Sequence, residues 1–259
     1  MNYFEDTLDN NGETLRSMTK SMKRSVQMAM RGLFLVLLAG FSGTALPDQL
    51  TLTVNADKPG DTISRYLYGQ FAEHLGRGIY EGIWVGEEST IPNTGGFRSD
   101  VIEALKVLEI PVIRWPGGCF ASPYRWKDGI GPQHKRGPHP RTMWDDKEVN
   151  SFGTDEFIAM CRRVGAEPLI VVNIGTPNWN RDVLDHDFLQ EAVEWIEYCN
   201  GPADSTWGKV RAANGHPEPY HVKYWEIDNE TWHMGAEAYA AAVNRFGPAM
   251  RQADPSIKL

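Results

Sequence analysis

The segment YWEIDNETWHMG, residues 224–235, carries acidic and amide side chains at the end of a strand-like run. Glu226 alternates with apolar residues along that run, whereas Glu230 follows it directly after Asn229. A carboxyl group can donate or accept a proton during a reaction, and a neighbouring amide can hold a substrate hydroxyl. Glu230 and Asn229 are therefore candidates for acid–base chemistry at the rim of a pocket, and Glu226 is assigned a structural role.

Polar or aromatic side chains also follow the other strand-like runs of the chain. They are Glu73 and His74 after the first run, residues 114–119 after the second, and Asn173 after the third. Active sites of (β/α)8 barrels lie at the carboxyl ends of the strands. We therefore expect these residues to meet at one edge of a parallel sheet, with His74 acting either as a ligand or as scaffolding.

Strand-like and helix-like runs alternate from residue 66 onward. The strand-like runs are 66–74, 111–118, 168–175 and 222–230, and the helix-like runs are 99–110, 154–165 with Thr154 as N-cap, 188–201 and 236–255. This alternation predicts a parallel sheet, either doubly wound or closed into a barrel. Because the sequence has neither a GxGxxG nor a GxxxxGK[ST] motif, we predict an α/β fold of the (β/α)8 TIM-barrel type, represented by its first four βα units.

The first 45 residues have the pattern of a signal peptide. A basic cluster at residues 20–24 precedes the apolar run 31–41, and small residues stand at positions 43 and 45. The apolar run is shorter than a membrane span, and the small residues suit cleavage near Ala45. We expect a secreted or periplasmic protein, and an uncleaved membrane anchor is the alternative.

Composition and charge exclude several classes of protein. The chain of 259 residues is 41% hydrophobic and 23% charged, as is typical of a folded globular domain, and its net charge is -8. We do not expect such an acidic protein to bind nucleic acid. Cys119, Cys161 and Cys199 show no paired spacing and no HExxH motif is present, so we expect neither a disulfide framework nor a metal or other cofactor.

Carboxylates at strand ends suit a sugar-cleaving site in a chain with nine tryptophans, because indole rings stack on sugars. Several longer motifs occur in order along the chain: GQFAEHLGRGIYEGIWVG at 69–86, IRWPGGCF at 113–120, GAEPLIVVNIGT at 165–176 and VKYWEIDNE at 222–230. Through these motifs, residues 62–259 resemble the alpha-L-arabinofuranosidases of glycoside hydrolase family fifty-one.

The resemblance implies a (β/α)8 barrel with a β-sandwich that hydrolyses terminal α-L-arabinofuranosyl bonds with retention of configuration. It assigns Glu230 as the general acid/base and Asn229 as the ligand of the sugar's 2-hydroxyl. It implies that Glu73 binds sugar hydroxyls, that Cys119 replaces a sugar-binding Asn of many members, and that Trp144 lines the leaving-group side. The implied partner is an arabinose-containing oligo- or polysaccharide such as arabinoxylan or arabinan.

The same resemblance implies domain boundaries. Residues 46–64 are expected to be an N-terminal strand of the β-sandwich, and residues 65–259 the N-terminal half of the barrel. The family's nucleophile is a Glu on a later strand that the sequence does not reach. We therefore expect the chain to be a partial enzyme that is inactive alone, and we leave open whether the full-length enzyme is a homo-oligomer.

Two other interpretations stay open. A carbohydrate-binding protein that kept the sugar-facing rim and lost catalysis would also lack the nucleophile. A related glycosidase of different sugar specificity, such as a xylosidase or an endoglucanase, would share the rim, because the contacts that select the sugar lie partly outside this chain.

Overall fold

The computed structural model describes residues 52–138, 148–176 and 186–259. Within these ranges, no helix combines the length and the apolar composition that a membrane crossing requires. The chain divides into two units, Met1–Asp61 and Thr62–Leu259. The predicted signal peptide lies outside the described residues.

The segment before residue 65 is described only from residue 52 onward. No strand forms over residues 52–64, in contrast to the strand predicted at 46–64. Leu52, Val54 and Ile63 are exposed. Its assignment to a β-sandwich stays a prediction.

A parallel sheet organises the second unit. The strands are β1 (Gln70–Phe71), β2 (Asn93–Thr94), β3 (Phe97–Arg98), β4 (Val112–Trp115), β5 (Glu167–Val172) and β6 (Tyr224–Ile227). Strands β1, β4, β5 and β6 lie side by side in that order and are all parallel, whereas β2 and β3 form a separate antiparallel pair. The α/β class with a parallel sheet is therefore confirmed.

Helices connect the strands of this sheet. They are α1 (Ser99–Val107), α2 (Thr154–Val164), α3 (Phe188–Asn200), α4 (Thr206–Ala213) and α5 (Ala236–Ala253). Helices α1, α2, α3 and α5 confirm the four helix-like runs of the sequence. Helix α4 is an addition between β5 and β6 that the sequence pattern did not predict.

The start of α2 corrects one detail of the prediction. The N-cap is Gly153, whose backbone N–H donates to the Glu156 carboxylate at 2.8 Å. Thr154 is instead the first helical residue, and its hydroxyl accepts a hydrogen bond from the Trp195 indole at 3.0 Å. The helix ends at Gly165, which adopts the left-handed conformation (φ 75°) that glycine tolerates without a Cβ clash.

Tryptophans fill the core between the sheet and the helices. Trp115 of β4 stacks on Phe157 of α2 with ring centroids 5.0 Å apart, and Trp195 of α3 stacks on Trp126 at 5.7 Å. Trp225 of β6 meets Trp195 edge-on at 6.0 Å. All five side chains are buried. These tryptophans therefore pack the core between the sheet and the helices and are not available to stack on a sugar.

Residues beyond α5 return to the edge of the sheet beside β6. Lys258 forms a parallel bridge with Tyr224, with the Trp225 N–H donating to the Lys258 carbonyl at 2.9 Å. The Lys258 N–H donates to the Lys223 carbonyl at 2.7 Å. The strand–helix alternation thus continues past β6.

Candidate active site

The carboxyl ends of the strands bring the predicted residues together. Glu73 follows β1, Cys119 follows β4, and Asn229 and Glu230 follow β6. The Cys119 thiol donates to Glu230 Oε2 at 3.0 Å, and the Asn229 amide lies 3.8 Å from the thiol sulfur. The Phe120 N–H lies 3.5 Å from Glu73 Oε1. Four of the five predicted site residues therefore lie at one rim, which we call the carboxyl rim.

The fifth predicted residue, Trp144, lies outside the described residues. Its role on the leaving-group side stays a prediction.

Arg114 of β4 holds residues of the carboxyl rim in place through hydrogen bonds. It forms a two-point ion pair with Glu226, through Nε at 2.6 Å and Nη2 at 2.8 Å, and it donates to the Gly117 carbonyl at 2.6 Å. Nη2 also donates to Asn229 Oδ1 at 2.7 Å. Because a guanidinium only donates, the oxygen of the Asn229 amide must face Arg114. The Asn229 amide nitrogen is then the group that can donate to a substrate hydroxyl.

Cys119 lies in the short 3-10 helix Cys119–Ala121. Burial raises the pKa of its thiol to about 11, with further contributions from the hydrogen bond and charge of Glu230 and from the charge of Glu73. Both carboxylates therefore act on this sulfur, and the thiol stays protonated at neutral pH. In that state Cys119 is a neutral hydrogen-bond donor to Glu230.

The backbone around Glu230 has an unusual shape. Asp228 (φ 55°) and Glu230 (φ 50°) both adopt the left-handed conformation, which costs roughly 1–2 kcal/mol for a residue with a Cβ. The turn leads from β6 into the 3-10 helix Thr231–Met234 and leaves the Glu230 side chain exposed. A strained turn at a strand end is typical of a functional site that the surrounding structure holds in place.

Asp228 itself is buried, with 2% of its surface exposed. Its carboxylate accepts hydrogen bonds from the Ser122 hydroxyl at 2.5 Å and from the Thr176 hydroxyl at 2.7 Å. The backbone N–H groups of Ile174 and Asn229 donate to it at 3.2 and 2.7 Å. The Asp228 carboxylate therefore faces into the protein.

His74 belongs to a buried network beneath Glu73. Its Nδ1 accepts from the Trp115 indole at 3.1 Å, so its Nε2 carries the proton and faces Glu148 Oε2 at 2.9 Å. Glu148 also accepts from the Tyr80 hydroxyl and from the Asn150 N–H. Burial alone raises the pKa of Glu148, but the hydrogen bonds from His74 and Tyr80 outweigh it, so the pKa is lowered. His74 is scaffolding.

The remaining polar candidates divide between scaffolding and surface. Asn173 accepts from the Gly175 N–H at 2.8 Å and donates to the Tyr124 carbonyl at 3.3 Å, which fixes the loop after β5. His233 is exposed beside Glu230, and so is Trp232. Over the described ranges, no three His, Cys, Asp or Glu side chains are grouped as a metal site would require.

Sequence reasoning missed the two buried carboxylates that support the rim, Asp228 and Glu148. The partner of Asp228, Ser122, lies 106 positions away in sequence. Glu148 lies in a segment without helical or strand periodicity, and its partner His74 belongs to the first βα unit. No local pattern predicts such pairings.

A cavity of about 620 Å³ lies elsewhere. It is lined by Asp155 and Ile158 of α2 and by residues 215–221. Because residues 215–221 precede β6, this cavity is at the amino end of the strand, opposite Glu230. At the carboxyl rim, Glu230 is exposed.

Comparison with known proteins identifies the relatives of this chain. The family described as Alpha-L-arabinofuranosidase 1 domain matches residues 104–259. The "Probable alpha-L-arabinofuranosidase C" of Aspergillus niger is 41% identical over 224 residues, which are 83% of this chain and 42% of that protein. The "Intracellular exo-alpha-L-arabinofuranosidase" of Bacteroides ovatus is 42% identical over 209 residues, which are 79% of this chain and 39% of that protein.

A solved structure shows the same likeness in three dimensions. The arabinose complex of alpha-L-arabinofuranosidase from Thermotoga maritima is 46% identical, with a TM-score of 0.69 over 76% of this chain and 40% of that chain. The chain spans about two fifths of the length of the relatives that it matches. It belongs to the family of alpha-L-arabinofuranosidase 1 domains, as found in the arabinofuranosidases of glycoside hydrolase family fifty-one.

Proposed function

We propose that this chain supplies the acid–base part of a retaining alpha-L-arabinofuranosidase. The observation that carries the proposal is the carboxyl rim, where Glu230 lies against Cys119 beside an Asn229 amide oriented by Arg114. Membership of the arabinofuranosidase family supports the choice of sugar. The proposed substrate is an arabinose-containing oligo- or polysaccharide such as arabinoxylan or arabinan.

Glu230 acts first as an acid and then as a base. It donates its proton to the glycosidic oxygen while a second carboxylate attacks C1, which forms a glycosyl–enzyme ester and releases the leaving group as an alcohol. It then removes a proton from the water that cleaves the ester, so that arabinose leaves with its original configuration. The Asn229 amide nitrogen donates to the 2-hydroxyl, and Glu73 accepts from another sugar hydroxyl.

The second carboxylate is proposed to come from a later strand. Retention requires two carboxyl groups about 5–5.5 Å apart. The parallel bridge between Tyr224 and Lys258 and the greater length of the relatives support a sheet that continues beyond β6. Glu73 lies at the same rim, and the family resemblance gives it a binding role. This chain alone is therefore expected to lack turnover.

The complete enzyme is also proposed to have a defined domain architecture. We propose that β1, β4, β5 and β6 are the first four strands of a (β/α)8 barrel over residues 65–259, and that residues 46–64 belong to a β-sandwich. The parallel order of the strands and the polar residues at their carboxyl ends support the barrel. Assembly of the complete enzyme into a homo-oligomer is part of the proposal.

Export is a separate proposal. Residues 1–45 would act as a signal peptide cleaved near Ala45, which would place the enzyme in the periplasm or outside the cell. The relative from Bacteroides ovatus is named intracellular, so cell fractionation and N-terminal sequencing of the mature protein are the measurements that decide. A mature N-terminus close to position 46 supports export, whereas an intact N-terminus in the cytoplasm contradicts it.

The test of function compares two proteins. One is this 259-residue chain, and the other is the product of the longest reading frame that contains it, which we call the long form. Both are assayed with 4-nitrophenyl α-L-arabinofuranoside and with arabinoxylan. Turnover by the long form alone supports the proposal. Sugar binding without turnover by both proteins would favour a carbohydrate-binding protein, and cleavage of xylosides in preference would assign a different glycosidase.

A further inference from the structure

Asp228 connects three neighbouring strands of the sheet through one carboxylate. Oδ1 accepts from the Ser122 hydroxyl and from the Asn229 N–H, while Oδ2 accepts from the Thr176 hydroxyl and the Ile174 N–H. Ser122 follows β4, Ile174 and Thr176 follow β5, and Asp228 itself ends β6. The carboxyl ends of all three strands are thus fixed relative to one another by a buried anion.

This carboxylate acts on both sides of the Glu230–Cys119 contact. On one side, the bond to the Asn229 N–H holds the left-handed turn that carries Glu230. On the other side, Ser122 is the C-terminal cap of the 3-10 helix that begins at Cys119, and its N–H donates to the Cys119 carbonyl at 3.2 Å. Movement of Asp228 would therefore displace both partners of the contact.

The chemistry of these bonds requires a carboxylate. An amide of the same shape has one oxygen and one NH2 group, whereas all four partners of Asp228 donate in this arrangement. The Ser122 and Thr176 hydroxyls can rotate to accept a hydrogen bond, whereas the backbone N–H of Ile174 can only donate one. In an Asp228→Asn variant at least one backbone N–H would face another donor, and the turn would lose part of its support.

We propose that Asp228 is the positioning residue for the general acid/base. It touches neither substrate nor leaving group, and it holds Glu230 and Asn229 at the angle that proton transfer requires. The inference deepens the proposed function and rests on it for its catalytic part. A displacement of about 1 Å at a catalytic group can cost about a hundredfold in rate.

The first measurement is the dependence of rate on the leaving group. In the long form, Asp228→Asn is expected to lower kcat/KM about thirty- to a hundredfold on arabinoxylan, and less than about fivefold on 4-nitrophenyl α-L-arabinofuranoside, because an activated leaving group needs little acid assistance. Asp100→Asn, which changes an exposed carboxylate on α1, serves as the matched control. An equal loss on both substrates, or no loss, would overturn the positioning role.

The second measurement does not need turnover. Because Glu230 helps to raise the pKa of the Cys119 thiol, displacing Glu230 should increase the thiolate fraction and speed alkylation by iodoacetamide at pH 8.5. Asp228→Asn is expected to give at least half of the severalfold increase that Glu230→Gln gives, with Asp100→Asn unchanged. Alkylated positions are identified by peptide mass, with buried Cys161 and Cys199 as internal references.

The two measurements separate the outcomes. If the wild-type long form does not cleave arabinofuranosides, the proposed function fails, and alkylation still decides whether Asp228 places Glu230 against Cys119. Unchanged alkylation in Asp228→Asn overturns the inference, whether or not Glu230→Gln responds. If Asp228→Asn does not fold, Thr176→Val removes a single donor to the same carboxylate and is read by the same two criteria.

Discussion

Two carboxylates, Asp155 in the first turn of α2 and Glu230 at the carboxyl rim, have opposite surroundings. Asp155 is buried and accepts hydrogen bonds from the Tyr198 and Tyr220 hydroxyls at 2.7–2.9 Å. Glu230 is exposed and accepts a bond from a thiol, a weak donor. The Asp155 carboxylate is thus satisfied inside the protein, whereas the Glu230 carboxylate faces outward. This difference separates structural from functional carboxylates better than residue type does.

The comparison predicts the largest effect at Glu230. In the long form, Glu230→Gln should lower kcat/KM on arabinoxylan by about 10²–10⁴-fold, the usual contribution of general acid–base catalysis, and much less on 4-nitrophenyl α-L-arabinofuranoside. Asp155→Asn should leave kcat/KM of the folded protein nearly unchanged on both substrates. Steady-state kinetics of the two variants test this difference. A larger loss of kcat/KM in Asp155→Asn than in Glu230→Gln would contradict it.

A smaller loss is expected at Arg114. Arg114→Ala leaves the half-buried Glu226 carboxylate and the Asn229 amide oxygen without their shared donor. We expect roughly 1–3 kcal/mol of lost stability and an increase in KM of about tenfold, since Asn229 would no longer be oriented toward the sugar. Thermal unfolding and Michaelis kinetics test this. Arg98→Ala, an exposed pair with Asp100, is the control, and equal effects in both variants would contradict the assigned role.

The third prediction concerns two buried carboxylates whose pKa values shift in opposite directions. Burial raises the pKa of Asp155, so its contribution to stability is complete below its unfolded pKa of about 3.9 and is lost as the pH rises through the folded value. The pKa of Glu148 is lowered because its bonds to His74 and Tyr80 outweigh the effect of burial. Its contribution is therefore present above about pH 4.3 and is lost as the pH falls.

Thermal unfolding between pH 3 and pH 7 measures both contributions. The Tm difference between wild type and Asp155→Asn should shrink as the pH rises above about 4. The difference between wild type and Glu148→Gln should shrink as the pH falls below about 4.3. Parallel pH trends in the two variants would show that the two networks are not electrostatically distinct.

The smallest effect is expected at Cys119. Cys119→Asn keeps a donor toward Glu230, because the amide NH2 replaces the S–H group. We therefore expect kcat/KM on 4-nitrophenyl α-L-arabinofuranoside to change by less than about fivefold, whereas Cys119→Ala should lose more. A loss above a hundredfold in Cys119→Asn would mean that the sulfur has a role beyond hydrogen bonding.

The sequence predicted the buried strands better than the exposed one. Strand β5 forms where predicted because Ile170, Val171 and Val172 are apolar and buried on both faces. The run 66–74 yields only the two residues of β1, since residues 65–68 form a 3-10 helix. At Gly69 a Cβ would lie 2.5 Å from a Val112 methyl, so close packing rather than periodicity sets the boundary.

Helix α4 escaped prediction for a similar reason. Gly208 lies inside it, and glycine is a poor helix former. Here a Cβ would meet the Pro202 carbonyl oxygen at 1.9 Å, so glycine is required by a contact outside the helix. Among the site residues, Asn229 and Glu230 were predictable because they end a strand. The supporting roles of Asp228 and Glu148 depend on partners far away in sequence, which no local pattern reveals.

Rescue by azide tests whether Glu230 is the acid/base of a retaining enzyme. In Glu230→Ala of the long form, azide can attack C1 of the glycosyl–enzyme without base assistance and displace the enzyme carboxylate. If Glu230 is the acid/base, we expect azide to restore turnover of 4-nitrophenyl α-L-arabinofuranoside. The expected product is α-L-arabinofuranosyl azide, identified by proton NMR. The absence of rescue, or an azide of inverted configuration, would contradict the acid/base role.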